Sequence, residues 1–317
     1  MIKQETTYTE KQLLDAQQTL KSYIHQTPVL HSRLLDERCG SRLFFKCENF
    51  QRAGAFKMRG AMHKVLSLTR EERGKGVATH SSGNFGQALA LSAKIMNIPA
   101  TIVMPSDAPQ VKKDAVAAYG ARIIESEPNP QSREETLAEF LKTSGAVECH
   151  PYNDQQVILG NSTAAQELFA QQELDDIIAP VGGGGLISGT ALASKFFSPT
   201  TSIYGVEPMG ADDAFRSIRD GKIYPSLKPQ TIADGLRTAL GDLTYDVISK
   251  NVKEILLVSD HEIFAAMKLI WERMKIIVES SSAITLAAVL KYPEIFKGRR
   301  IGLILSGGNV DLQKYFG

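Results

Sequence analysis

Apolar and polar positions change period several times along the chain, and each change marks an element. Leu13, Ala16, Leu20, Tyr23 and Ile24 recur at helical spacing behind Thr9-Glu-Lys-Gln12. That tetrapeptide has the form of a capping box, in which a Thr hydroxyl and a Gln side chain satisfy the open amides of a first turn. The helix is expected to stop before Thr27-Pro28, because a residue ahead of proline avoids the α region. Further on, short β-rich runs alternate with longer helical patterns. Val77-Ala-Thr79, Ala100-Thr-Ile-Val-Met104, Arg122-Ile-Ile124 and Asp176-Ile-Ile-Ala-Pro-Val181 read as strands. So do Ser202-Ile-Tyr-Gly-Val206, Glu254-Ile-Leu-Leu-Val258 and Arg300-Ile-Gly-Leu-Ile-Leu305. Helices are expected over 85–96 and 108–119, the second closed by Gly120 as a left-handed cap. This alternation predicts an α/β fold with mostly parallel sheets flanked by helices. Ligands in such folds gather at loops beyond the carboxyl ends of strands, which singles out 80–86, 182–189 and 306–311.

Composition narrows the picture. A chain of 317 residues exceeds what one hydrophobic core usually fills, so two lobes are expected. Lys and Arg total 36 against 35 Asp and Glu, and no basic run stands out, so a nucleic-acid partner is not expected. No apolar stretch approaches the length of a membrane span. Cys39, Cys47 and Cys149 form neither a CxxC nor a metal-type spacing. With an opening Met-Ile-Lys-Gln-Glu-Thr-Thr that lacks a secretory apolar core, they point to the reducing cytoplasm.

The candidate chemistry sits in the loops. Val181-Gly-Gly-Gly-Gly-Leu-Ile-Ser-Gly189 joins a strand to a helix. Consecutive glycines let successive amides converge on one anion at a helix N-terminus, and a phosphate suits that geometry. The spacing matches neither a dinucleotide fingerprint nor a Walker A loop, which favours a compact phosphate over a pyrophosphate. Lys57 lies among Ala53, Ala55, Phe56 and Met58. Small and apolar neighbours imply partial burial, which lowers a lysine pKa and yields an amine able to condense with an aldehyde. His80-Ser-Ser-Gly-Asn-Phe-Gly86 and Ser306-Gly-Gly-Asn309 are two further strand-end loops. Taken singly, each loop could equally be a plain turn or cap.

In combination and in this order, a KxRG lysine, an SSGN loop, a GGGG loop and an SGGN loop resemble the fold-type II enzymes of pyridoxal 5′-phosphate (PLP). The closer resemblance is to the serine racemase and serine–threonine dehydratase family. Phe45-Lys-Cys-Glu-Asn-Phe-Gln51, Tyr119-Gly-Ala121, Gly205-Val-Glu-Pro208, Thr231-Ile-Ala-Asp-Gly235, Trp271-Glu-Arg-Met-Lys275 and Leu305-Ser-Gly-Gly-Asn-Val-Asp311 share it, so it covers nearly the whole chain. It implies a two-lobed, tryptophan synthase β-like fold. The large PLP-binding lobe would span 1–75 and 149–317, and the small lobe 76–148. A homodimer with a small-molecule amino-acid substrate is implied as well.

The resemblance also assigns roles. Lys57 would carry the PLP aldehyde, Phe56 would pack on the ring, and Gly182, Gly183, Gly184 and Gly185 would hold the phosphate. Asn84 would meet the ring 3′-oxygen. Ser306 would face the pyridine nitrogen, where a neutral hydroxyl, unlike a carboxylate, would not keep that nitrogen protonated. The substrate carboxylate would rest on Ser81, Ser82, Gly83, Asn84 and Phe85, with Arg133 and Thr238 nearby. Lys57 and Ser82, on opposite faces of Cα, would be the catalytic pair. Glu207, Ala211 and Asp213 resemble a site for Mg²⁺ or Ca²⁺. Gln87, Tyr119 and Lys275 match positions that line an ATP effector site between subunits in some members. The implied activity is racemisation, dehydration to a keto acid and ammonia, or both, on a β-hydroxy amino acid such as serine or threonine. Aspartate racemisation or 3-hydroxyaspartate dehydration on the same scaffold is one alternative, and a PLP-binding protein without turnover is another. The chain departs from the family pattern at Phe85, usually histidine or a small residue, and at Val278-Glu-Ser-Ser-Ser-Ala283 and Asn161-Ser-Thr163. The first two departures put the substrate in question and leave the cofactor unaffected.

Overall fold

The computed structural model describes residues 7–312. The opening Met-Ile-Lys-Gln-Glu-Thr and the last five residues of the expected large lobe lie outside that range. Two sheets organise the chain. Six strands, β1 (Val29–Leu30), β2 (Arg42–Cys47), β7 (Asp176–Pro180), β8 (Ser202–Pro208), β9 (Glu254–Val258) and β10 (Arg300–Leu305), form one in the order β1-β2-β10-β7-β8-β9. The other is built from β3 (Val77–His80), β4 (Ala100–Pro105), β5 (Arg122–Ser126) and β6 (Val147–Glu148), in the order β5-β4-β3-β6. All pairings are parallel except β1 with β2. Helices connect and cover the parallel strands, as crossovers between parallel neighbours require.

Local signals place most elements. Thr9 caps the first helix, Glu10–Leu20, with the reciprocal capping box in place. That helix ends a turn sooner than its periodicity suggests, because the amides of Tyr23 and Ile24 both turn back to the Leu20 carbonyl. The helix expected over 108–119 runs from Gln110 to Ala118, behind Pro109 at its N-cap. Gly120 adopts φ +83° after it. Strand β2 has no clear sequence signal. Its apolar run of Leu43, Phe44 and Phe45 is broken by Lys46, which is nevertheless fully buried.

Lys46 belongs to an ionic cluster inside the core. Arg59 donates to both Glu48 and Glu167, and Lys46 donates to Glu167 at 2.5 Å. Thr27 closes the cluster with a 2.5 Å bond to Glu48. Buried charges persist only when paired and hydrogen-bonded, and each group here has a partner. The cluster pins the helix Lys57–Leu66 two residues beyond Lys57. The next residue, Gly60, faces Gly160 across a backbone-to-backbone helix crossing: a Cβ on Gly160 would lie 2.9 Å from the Gly60 Cα. The same helix sends Met58, Met62 and Val65 into the apolar cluster of Val77, Ala88, Leu89 and Ile102 beneath the smaller sheet. Lys57 therefore stands where the two sheets' cores meet.

Candidate active site

Three loops leave the carboxyl ends of parallel strands and converge on Lys57. Its side chain is part-buried, and Nζ donates to the Pro151 carbonyl at 3.0 Å. Among the described residues it has no salt-bridge partner. The ring of Phe56 lies 4.9 Å from Nζ and that of Phe85 lies 5.8 Å away. Desolvation among these groups lowers the Lys57 pKa to about 8, against a smaller upward pull from the Glu279 carboxylate. A substantial share of the amine is neutral near physiological pH, as a nucleophile requires.

The loop after β7 carries the glycines. Gly184 has φ +88°, a conformation that L side chains adopt only under strain, and it is the N-cap of the helix Gly185–Phe197. A side chain there would also press on the Cβ of Thr244 at 2.8 Å. The Thr244 hydroxyl donates to the Gly183 carbonyl at 2.8 Å and fixes the loop from below. No acceptor within the described residues claims the amides of Gly182, Gly183, Gly184 or Gly185. Four consecutive open amides at a helix N-terminus make an anion cradle. Thr238 lies beside it, its hydroxyl 3.4 Å from where a Cβ on Gly182 would stand.

The loop after β3 separates two neighbouring serines. The Ser81 oxygen accepts the amides of Gly83 at 3.3 Å and Gly86 at 3.2 Å, and its own amide donates to the Val103 carbonyl. Ser81 thus holds the loop's shape, and its amide is not open to a substrate, whereas its hydroxyl, an acceptor in both bonds, keeps its own proton to donate. Ser82 bonds to nothing among the described residues, and the amides of Ser82, Asn84 and Phe85 are likewise unclaimed. A carboxylate can be received there. Phe85 is buried and contributes its ring beside Lys57.

Asn84 is held from two sides. Its Nδ2 donates to Glu279 at 2.9 Å, and its Oδ1 accepts from Asn309 Nδ2 at 2.9 Å. Glu279 is buried, and that burial, with Asp234 adding to it, raises its pKa to about 7. The sequence showed Glu279 only as part of a departing motif, and Asn309 only as the end of the SGGN loop. The backbone of this loop ties back to the lysine, the Phe56 amide donating to the Ser306 carbonyl at 2.9 Å. Ser306 itself is buried.

A cluster that carried no motif completes the wall. His150 packs edge-on against Tyr152 with centroids 4.5 Å apart. Its Nδ1 accepts the amides of Tyr152 and Asn153, so the neutral ring carries its proton on Nε2. Burial, then the nearby His80 and Lys57, push its pKa down to about 4. Tyr152 lies under the glycine loop, where a side chain on Gly183 would collide with its ring. Arg133, in the helix Pro130–Ser144, lies close enough to His80 to depress its pKa after burial has done so, and pairs with no carboxylate among the described residues.

Other expected groups lie apart from this cleft. Glu207 at the end of β8 accepts the amides of Ala214 and Phe215 at 3.1 and 2.7 Å. Ala211 is buried two residues before Asp213, and both oxygens of Asp213 are buried without a hydrogen-bond partner among the described residues. Burial pushes Asp213 up to about 6, and burial with Asp213 beside it raises Glu207 well above its usual range. Two such carboxylates, one with orphaned oxygens, fit a divalent cation. Of Gln87, Tyr119 and Lys275, the last two line different recesses. Tyr119 lines a recess with Lys94 and Pro99, whereas Lys275 lines another with Phe50 and Asn309, of about 440 Å³.

Residues 20–307 match the family described as pyridoxal-phosphate dependent enzyme. The chain is 49% identical over 307 residues to the beta-hydroxyaspartate dehydratase of Paracoccus denitrificans, with 96% of this chain and 98% of that one covered. It is 50% identical over 304 residues to the serine racemase of Arabidopsis thaliana, covering 94% and 92%. The solved serine racemase of Dictyostelium discoideum has the same fold, with a TM-score of 0.92 at 46% identity, over 97% of this chain and all of that one (100%).

Proposed function

The chain belongs to the pyridoxal-phosphate-dependent enzymes, and from that premise we propose that it acts on a β-hydroxy amino acid, by inversion at Cα, by loss of water to a keto acid and ammonia, or by both. The observation that carries the reading is Lys57, an amine with no salt-bridge partner among the described residues, its pKa lowered to about 8, facing loops in which the amides of Gly182–Gly185 and of Ser82, Asn84 and Phe85 have no acceptor among those residues. The cleft fits the cofactor: a phosphate finds the open amides of Gly182–Gly185, and a ring finds Phe56. Asn84 would meet the ring 3′-oxygen and Ser306 the ring nitrogen. When bound, the cofactor supplies a carbonyl for the substrate amine and a ring that delocalises the electron pair left at Cα.

The protein's own residues do the rest. The amides of Ser82, Asn84 and Phe85 hold the substrate carboxylate and so fix which bond at Cα stands perpendicular to the ring. Lys57 Nζ exchanges a proton at one face of Cα and Ser82 Oγ at the other. Proton removal on one face and return on the other inverts the centre. Loss of the β-hydroxyl instead gives the keto acid and ammonia once water has acted. Phe56, Phe85 and Tyr152 exclude water and strengthen the polar contacts.

A substrate with a second carboxylate is a specific form of this reading. Arg133, with His80 beside it and no acidic partner among the described residues, supports it, as does the relation to the hydroxyaspartate enzyme. A panel of serine, threonine, aspartate and 3-hydroxyaspartate, read for keto acid and for the inverted enantiomer, separates the forms. Turnover of none of them overturns the proposal. The absorbance spectrum before and after Lys57→Ala tests the cofactor: a near-visible band present in the parent and lost in the variant is expected.

We also propose that Glu207, Asp213 and the Ala211 carbonyl hold Mg²⁺ or Ca²⁺, which the orphaned Asp213 oxygens support. The lobes are taken as 76–148 against the remainder, in a homodimer. A nucleotide effector is taken to bind between subunits, a reading that the separate recesses of Tyr119 and Lys275 suit. ATP calorimetry beside analytical ultracentrifugation tests both points. Cys39, Cys47 and Cys149 are buried and unpaired, which suits a cytoplasmic protein. Among the described residues no helix is long and apolar enough to cross a membrane.

A further inference from the structure

Pro151 and Tyr152 share one peptide unit, and both ends of it are in use. The Pro151 carbonyl accepts from Lys57 Nζ at 3.0 Å, and the Tyr152 amide donates to His150 Nδ1 at 3.3 Å. A trans peptide unit is planar, with its N–H and C=O pointing in opposite directions. Whatever holds the N–H end therefore aims the C=O end. The following amide, that of Asn153, donates to the same ring nitrogen at 2.8 Å. An amide N–H can only donate, so Nδ1 offers its lone pair and carries no proton. Burial keeps the ring in this form, its pKa lying at about 4. The rest of the turn is anchored separately. Asn153 Oδ1 accepts the Leu243 amide at 3.0 Å, its Nδ2 donates to Asp242 at 2.8 Å, and Asp154 caps the helix Gln155–Phe169. Loss of the imidazole would thus loosen one peptide plane while the segment around it stays in place.

We propose that His150 is a positioning residue for Lys57: by holding the Tyr152 and Asn153 amides it aims the Pro151 carbonyl at Nζ and so orients the free amine toward Cα. The inference rests on the reading that Lys57 exchanges a proton at one face of Cα. A neutral amine bears two N–H bonds and one lone pair on a flexible four-carbon stem. Only a fraction of its orientations turn the lone pair toward a substrate, and an acceptor on one N–H removes most of the others. Among the described residues Nζ donates to no other atom than the Pro151 oxygen. The choice of a backbone carbonyl matters. A carboxylate in its place would orient the amine but would also stabilise the ammonium strongly and raise its pKa. A carbonyl carries no net charge, so it directs the amine while leaving the effect of desolvation in force. It also accepts from the ammonium form, and therefore holds Nζ in one place before and after the proton moves.

The test compares His150→Phe, which keeps a ring against Tyr152 but has no acceptor, with His150→Asn, whose side-chain oxygen can accept backbone amides further along the turn. His150→Leu replaces the first variant if that one does not fold. One readout needs neither cofactor nor turnover. In full-length apoenzyme labelled with ¹⁵N-lysine, the Nζ signal that is missing from Lys57→Ala belongs to Lys57. Its hydrogens are expected to exchange with water about tenfold faster in His150→Phe than in the parent, and at close to the parent rate in His150→Asn. The other readout is the primary isotope effect on turnover of the holoenzyme, measured with each enantiomer of the fastest amino acid of the panel, deuterated at Cα. Ser82→Ala disables the opposite face and so shows which enantiomer Lys57 deprotonates. For that enantiomer His150→Phe is expected to lower kcat about tenfold and to raise the isotope effect, and for the other to leave both within about twofold. His150→Asn is expected to restore the parent behaviour. Equal losses for the two enantiomers would assign His150 a merely structural role, and unchanged Nζ exchange in His150→Phe would show that the carbonyl is aimed without the imidazole. Either result overturns the proposal. If Ser82→Ala slows both enantiomers alike, it is the reading of two opposed faces that fails, and the exchange measurement still decides whether His150 holds Lys57.

Discussion

If withdrawal from water sets the Lys57 pKa at about 8 against 10.5 for an ordinary lysine, the advantage of this amine over a free one depends on pH in a calculable way. At pH 7.5 about a quarter of the Lys57 amines are neutral, against about 0.1% of free lysine, a ratio of roughly 240. At pH 10 the ratio falls to about 4, because the free amine has begun to deprotonate while Lys57 has finished. The assay follows covalent uptake of PLP by the apoenzyme by absorbance and divides each rate by that of an Nα-blocked lysine in the same buffer. Division cancels the aldehyde's own titrations. The lower basicity of Lys57 also reduces its intrinsic nucleophilicity, but by a factor independent of pH. The expected result is therefore a fall of about 60-fold in the normalised rate between pH 7.5 and pH 10. A flat ratio would mean that Lys57 titrates as a solvated amine and would refute the desolvation argument.

Other perturbations follow from the same geometry. Glu279 binds its proton up to about pH 7 in the folded chain but only to about 4.5 when unfolded. Stability is therefore lost as pH rises through that window, and Glu279→Gln is expected to stabilise the apoenzyme by about 2–3 kcal/mol at pH 8 and by little at pH 4.5. Denaturant unfolding at the two pH values reads the difference. Arg59→Met leaves Glu48 and Glu167 buried with only Lys46 to neutralise them, and is expected to cost about 3–5 kcal/mol in the same assay. A loss below about 1 kcal/mol would show that the cluster relaxes freely. Gly184→Ala forces a side chain into φ +88° and against Thr244, and is expected to weaken PLP binding at least tenfold by fluorescence titration, with inorganic phosphate affected in parallel. Mg²⁺ is expected to raise the melting temperature of EDTA-treated protein, and Glu207→Gln with Asp213→Asn to abolish the rise.

The legible parts of this protein were those in which a few adjacent residues suffice. The capping box at Thr9, the Gly120 turn and most parallel strands followed from local pattern, and the glycine loop announced an anion site because four adjacent amides make one. Lys57 was visible through its small and apolar neighbours and the motif around it. Strand β2 was not, because Lys46 interrupts its apolar run, and its burial is made tolerable by Glu48 and by groups distant in sequence, the Thr27 carbonyl and Glu167, the latter 121 residues away. Ser81 and Ser82 are chemically identical neighbours. The turn of the loop commits the oxygen of one to backbone amides and leaves the other without a partner among the described residues.

The sequence alone, then, determined the α/β alternation, the positions of the turning loops and the residue types able to hold a phosphate and an aldehyde. Tertiary structure decided who stands beside whom. Asn84 meets Glu279 across 195 residues and Asn309 across 225, and Arg59 meets Glu167 across 108. These meetings depend on strand order. Because β10 inserts between β2 and β7, the loop after the last strand lies beside the lysine segment and close to the glycine loop. Helix and strand signals act over a few residues, whereas pKa shifts and proton directions depend on what burial brings close. A chain read in one dimension shows the chemical groups, and packing sets the charge and orientation with which each one works.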